Sequence, residues 1–295
     1  QLKKEDGTLV QEAKNAADGT ISFTGIEVQG EGSHTFVISE VQPKESYTTD
    51  DTGKRVQNGI TYDNASFKAV VTTEWGEVPV EEGSEETKPG LVVTDISYKN
   101  MSDEDVEAAI FKNRYEAEGI GSISGTKTLT GRSLKADEFT FQVVKKTTGA
   151  DGQVTETVVG EAANNADGEF TVAVNKSATA DGYAPFTQAD IDQTYTDYVL
   201  KEKAGSETGM TYDTKEYPLT ITVSDAGNGK LTVDVVLTDG GTATFENSYE
   251  ADGTGSISGT KTLTGRSLKA DEFTFQVVKK TTGADGQVTE TVVGE

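Results

Sequence analysis

The chain has 295 residues, a net charge of −24, 34% hydrophobic residues and no cysteine. The charge excludes the basic face that nucleic acid requires. The absence of cysteine excludes disulfides and thiolate-held metals, and no apolar run is long enough to cross a bilayer as a helix. Threonine, glycine and valine are frequent and methionine and tryptophan scarce, a β-rich composition with many turns.

Asp-Gly and Asn-Gly pairs punctuate the chain at Asp6, Asp18, Asn58, Asp151, Asp167, Asp181, Asn228, Asp239 and Asp252. Each supplies the positive φ that tight hairpin turns demand. In the first third, Phe36, Ile38 and Glu40 share one strand face, as do Phe111, Asn113 and Tyr115. His34, the single histidine, falls on the Phe36 face and reads as structural, because neither a serine elbow nor zinc partners accompany it. An acidic loop is expected near Glu77–Gly90, around Pro79 and Pro89. Ser102–Asp105 and Thr187–Asp190 have capping-box form, each long enough for a single helical turn. The acidic stretches Thr49–Asp51 and Ser102–Asp105 lack the loop pattern of a dedicated calcium site and read as solvated surface.

Gly121–Glu161 recurs unchanged as Gly255–Glu295, a 41-residue duplication that marks tandem units. Strands are predicted near 122–129, 139–146, 153–160, 169–175, 195–202, 216–223, 231–237 and 243–249. Many short strands at this spacing predict an all-β chain of tandem immunoglobulin-like sandwiches arranged as a rod. Ile60–Asp63 and Met210–Asp213 share a Thr-Tyr-Asp turn, and Phe111–Glu116 and Phe245–Glu250 are matching unit ends. Glu12 aligns with Glu161. The expected units are therefore 1–116, a sandwich lacking its opening strands; 117–250, a complete one; and 251–295, the opening strands of a third.

Strand parity puts three polar residues of the complete unit on its apolar face: Lys127 with Ile123 and Leu129, Asn247 with Phe245 and Tyr249, and Glu202 with Tyr198 and Leu200. Left unpaired, each costs several kcal/mol, on the order of 2–7 for a neutral polar group. Two of the three recur in the first unit, as Glu40 and Asn113. A reaction among them accounts for the set. Desolvation favours the neutral, nucleophilic amine of Lys127. A buried, protonated Glu202 can hydrogen-bond the Asn247 carboxamide oxygen and shuttle protons. Attack with loss of ammonia leaves an isopeptide bond.

The blocks GTKTLTGRSLKADEFTFQVV, NNADGEF, YVLKE, MTYD and FENSY, in that order, closely resemble the streptococcal pilin isopeptide linkage domain. That family forms the repeats of Gram-positive pilins and adhesin stalks. The resemblance covers 121–250 and, in part, both ends. It implies a bond between Lys127 and Asn247, with Glu202 catalytic. In the first unit it implies Asn113 with catalytic Glu40, and in the third Lys261, each a half-pair whose partner is expected outside this chain.

The expected function is a structural stalk on a bacterial surface, extracellular and wall-anchored, self-crosslinked in a single turnover rather than an enzyme, with no cofactor or metal and no membrane insertion. Its partners are neighbouring repeats, with any host ligand held by a head domain outside this chain. Alternative readings are a host-ligand-binding adhesin module and a sortase-polymerised pilin backbone. Val41-Gln-Pro-Lys44 only faintly resembles the sortase-linked lysine motif and lacks its tyrosine.

Overall fold

The computed structural model describes residues 1–81 and 85–295, in two compact units, 1–250 and 251–295. Regular structure among the described residues is β-strand apart from one 3-10 turn, Gln188–Asp190. The fold is all-β, as the composition indicates.

All eight strands predicted within 117–250 form. Five make an antiparallel sheet in the order Val154–Ala163, Thr140–Thr148, Thr194–Glu202, Glu216–Asp225 and Leu231–Leu237. The facing sheet runs Glu169–Val174, Gly121–Thr130, Ala243–Tyr249 and Met210–Thr211. Gly121–Thr130 and Ala243–Tyr249 pair in parallel, with Lys127 opposite Phe245 and Leu129 opposite Asn247. The first and last strands of the sandwich thus lie side by side and run the same way.

An apolar cluster fills most of the space between these sheets. Phe141 stacks on Phe170 with ring centroids 3.7 Å apart, and Phe245 lies 5.2 Å from Phe141. Gly125 faces inward because the Phe170 ring needs its space: a Cβ there would lie 2.4 Å from Phe170 Cζ. Along Gly121–Thr130, Ser122, Ser124, Thr126, Thr128 and Thr130 are exposed and the alternate residues buried or half-buried, the parity expected of a strand with one wet face.

Residues 1–116 build the matching sheet from Leu9–Gln11, Leu2–Lys4, Gly32–Ser39, Ser66–Pro79, Thr87–Asn100 and Asp105–Val106. Among the described residues the opposing layer holds Arg114–Tyr115, Ile60–Thr61, Arg55–Gln57 and Thr48–Thr49. Leu2, Phe36 and Ala69 are the buried apolar residues described in this part. The turn at Ala16–Thr20 repeats that at Asn165–Glu169, with Ala16 N–H to Thr20 O and Gly19 N–H to Ala16 O. Yet residues 20–31, which follow it, form no strand.

Two expectations are corrected. The segment read as an acidic loop forms the outer half of a two-stranded ribbon, with Glu77 opposite Pro89 and Pro79 opposite Thr87; residues 82–84 lie outside the described residues. Val78, Val92 and Trp75 give it strand-forming character that its charge obscured. Ser102–Asp105 is a β-turn into Asp105–Val106 rather than a helical turn, because Asn100 Oδ1 captures the N–H groups of Ser102 and Glu104. The other capping box does make a single turn. There Asp190 accepts the Thr187 N–H and pairs with Lys176 and Tyr195.

In 251–295, Val277–Thr282 and Val288–Gly294 form a hairpin. Gly255–Thr264, identical to Gly121–Thr130, is not a strand, and Ile257 is 83% exposed.

Candidate crosslinking site

Three strands bring Lys127, Glu202 and Asn247 together in the core of 117–250. Lys127 and Asn247 come from the parallel pair, and Glu202 from the facing sheet, where it pairs with Phe141. Lys127 Nζ lies 2.6 Å from Glu202 Oε2, and both side chains are fully buried. Asn247 Nδ2 donates to Glu202 Oε1, also at 2.6 Å. One carboxyl group therefore holds the amine with one oxygen and the carboxamide nitrogen with the other. Lys127 Nζ also sits 4.7 Å from the centre of the Phe139 ring. Burial pulls the Lys127 amine below its usual pKa, against the opposing pull of Glu202.

Asn247 Oδ1 accepts the backbone N–H of Asp213 at 2.7 Å. A backbone N–H can only donate, so the oxygen must face it and the nitrogen must face Glu202. Glu202 therefore meets the carboxamide nitrogen, not the oxygen that sequence reasoning assigned to it. The Asp213 N–H takes the oxygen's side. The Asp213 carboxylate locks that turn by accepting the N–H groups of Lys215 and Glu246, and these bonds hold its pKa low despite partial burial. Sequence reasoning recorded the Thr-Tyr-Asp turn only as a repeat marker. Its recurrence just where a backbone donor is needed was the available signal.

The first unit carries the same frame without a lysine. Asn113 Nδ2 donates to Glu40 Oε1 at 2.7 Å, and Asn113 Oδ1 accepts the Asp63 N–H at 2.7 Å. Asp63 accepts the N–H groups of Ala65 and Lys112, as Asp213 does with its own neighbours. Glu40 Oε2, the atom equivalent to the one that holds Lys127, is buried with no hydrogen-bond partner. Lys261 lies in the separate unit, 4.7 Å from the Phe273 ring, the contact Lys127 makes with Phe139.

The remaining candidates have structural surroundings. His34 Nε2 bonds Thr73 Oγ1 and Gly30 O at a strand start. In Val41–Lys44, Gln42 donates to Asp63 O and Pro43 O accepts from Arg55, so the segment buttresses the Asp63 turn. Asp50 and Asp103 are spent on the turn N–H of Thr52 and on Lys68, respectively. Among the described residues no cluster of His, Asp and Glu is arranged to hold a metal ion.

The family model for the Spy0128-like isopeptide-containing domain matches residues 1–116 and 123–250. The chain belongs to that family. No curated protein sequence matches it. Among solved structures, it is similar to the T-13 major pilin of Streptococcus pyogenes, at 17% identity and TM-score 0.20 over 79% of this chain and 72% of that one. It is also similar to an asparagine-to-alanine mutant of a Streptococcus pyogenes major pilin, at 17% identity and TM-score 0.26 over 84% of this chain and 89% of that one.

Proposed function

We propose that the chain is a stalk segment of a bacterial surface fibre whose sandwich 117–250 locks itself with an isopeptide bond between Lys127 Nζ and Asn247 Cγ. On this reading 1–116 is a sandwich lacking its opening strands and 251–295 opens a third. The observation that carries it is one buried carboxyl group, Glu202, holding both the amine and the carboxamide nitrogen at 2.6 Å.

The chemistry follows from who holds what. Lys127 passes a proton to Glu202 within the buried pair, where low dielectric favours the neutral partners. The free amine attacks Asn247 Cγ, and the Asp213 N–H steadies the charge that gathers on Oδ1. Glu202 gives its proton to the departing –NH₂, which becomes ammonia, and takes up the proton that Nζ sheds as the amide forms. One N–C bond forms, one breaks, and ammonia leaves.

The bond ties the first strand to the last, so tension along the fibre passes between them without loading the rest of the sandwich. It closes a loop of 121 residues, 127 to 247 inclusive. By analogy with other loop closures this contributes about 4–5 kcal/mol. No thiol is involved, so reducing conditions leave it intact.

Intact mass tests the reading. The monomer is expected about 17 Da below its sequence mass, the mass of one ammonia, with a branched peptide joining Lys127 to Asn247. Glu202→Ala should restore the full mass. A wild-type monomer at full sequence mass overturns the proposal.

A further inference from the structure

We infer that Asn58 and Asn228 are paired sites of spontaneous deamidation, held shut by the junction between residues 1–116 and 117–250, and that their conversion to isoaspartate opens it. The inference stands apart from the crosslink proposed above.

The sequence singles out both positions. Asn58-Gly59 and Asn228-Gly229 are the two places in the chain where glycine follows asparagine. Glycine has no Cβ to shield its nitrogen, so that nitrogen can approach the side chain before it. The glycine N attacks the asparagine Cγ. An N–C bond forms, and Nδ2 leaves as ammonia with the proton that the glycine N sheds. Water then opens the five-membered imide. One opening gives aspartate. The other gives isoaspartate, which routes the main chain through Cβ and lengthens it by one atom.

The fold brings the two pairs into contact. Asn58 and Gly59 form the two-residue turn between Gln57 and Ile60, which pair across it. Asn228 and Gly229 lie in the turn that the Ala226 N–H closes on Lys230 O. A Cβ built on Gly229 would lie 2.8 Å from Gly59 N and 3.2 Å from Asn58 C. Both asparagines are exposed, so water reaches them, while both glycines are half-buried.

The same contacts hold each nucleophile back. Gly59 N is covered by Gly229, and Gly59 O accepts the Glu116 N–H at 2.8 Å. That turn has no room to swing Asn58 Cγ onto the nitrogen. At the other turn the Gly229 N–H bonds to the Tyr115 hydroxyl, which itself donates to Asp225 Oδ1 at 2.5 Å. Tyr115 thus reaches across the junction and engages the nitrogen that attacks Asn228. The extra main-chain atom of an isoaspartate does not fit a turn packed this closely on its partner. The product therefore loses the contact that guarded it, and reaction at one turn uncovers the other.

The test uses the full chain, aged at body temperature and mildly alkaline pH, then mapped by peptide mass. Each conversion adds about 1 Da. Chain unfolded in denaturant should convert at both asparagines, and native chain at least about tenfold more slowly. Tyr115→Phe keeps the ring and drops the hydroxyl, so Asn228 should convert severalfold faster in its native state. Once isoaspartate has formed, protease should cleave between 116 and 120 faster than in fresh chain. The double variant Asn58→Gly/Asn228→Gly, in which glycine suits the positive φ of position 58, should age without that change. The Lys127–Asn247 ammonia loss reads the proposed function separately in every sample. Equal rates in native and unfolded chain, an unmoved Asn228 rate in Tyr115→Phe, or a converted chain whose junction resists cleavage like a fresh one overturns the inference.

Discussion

Asn247 is held at its oxygen by the main chain of Asp213, 2.7 Å away, and not by a side chain. A backbone donor cannot be removed by substitution, but its aim can be disturbed. Asp213→Ala keeps the N–H while deleting the carboxylate that fixes the turn to Lys215 and Glu246. Loss of an aligned donor to a developing oxyanion costs ~10²–10³ in rate. Bond formation in D213A should therefore slow by up to about 10²-fold, followed as ammonia loss after refolding. An unchanged rate would remove Asp213 from the mechanism.

The reaction should depend on pH through Lys127. Burial lowers its pKa from the ordinary 10.5, so neutral amine is available at lower pH than for an exposed lysine. The rate should climb with pH up to the lowered value and level off below 10.5. A climb persisting through 10.5 would mean an exposed amine. The same shift has a stability sign. In Asn247→Ala, which cannot crosslink, the unfolded chain binds the extra proton between the two pKa values. Folding is then favoured as pH rises through that window. Denaturant midpoints of N247A measured against N247A/K127M should show this gain.

Removing Glu202 separates chemistry from packing. In Glu202→Gln the carboxamide keeps the volume but cannot accept and return a proton, so the full mass should persist. Forfeiting about 4–5 kcal/mol of loop closure lowers the melting temperature of a sandwich this size by roughly 15 °C. Calorimetry of 1–295 reads this directly. A drop without loss of the bond would assign Glu202 a packing role alone.

Residues 1–116 and 117–250 meet at paired turns. Gly59 and Gly229 have φ of 79° and 76°, and a Cβ on Gly59 would lie 2.5 Å from Gly229 Cα and 2.3 Å from Glu116 O. Tyr115 OH donates to Asp225 nearby at 2.5 Å. Gly59→Ala is expected to loosen this junction while sparing the Lys127–Asn247 bond. Protease cleavage between 116 and 120 should quicken severalfold while the loss of about 17 Da stays.

The duplicated passage shows how far a sequence specifies its own structure. Parity alone puts Lys127, Glu202 and Asn247 each on the inward face of its own strand, because alternation is local. The same ten residues are a strand with one buried face at Gly121–Thr130 and no strand at Gly255–Thr264. Strand formation depends on a neighbour whose hydrogen bonds and apolar face arrive from elsewhere. The parallel pairing of the first and last strands was likewise out of view. So was the Asp213 donor, since a main-chain N–H leaves no letter of its own. The ribbon at 66–100 was misjudged because acidic residues on a two-stranded extension can face solvent on both sides.

The burial of Lys127 and Glu202 to zero side-chain exposure, with Asn247 nearly as deep, bears on how long a crosslink there would last. Water and peptidases reach an amide only when its surroundings open, so this one would be shielded until the sandwich itself is lost. Ammonia, once diluted into the medium, does not return to reverse the step. The branch would outlive the peptide bonds of the surface loops, and a spent fibre would shed cross-shaped fragments with four chain ends rather than two.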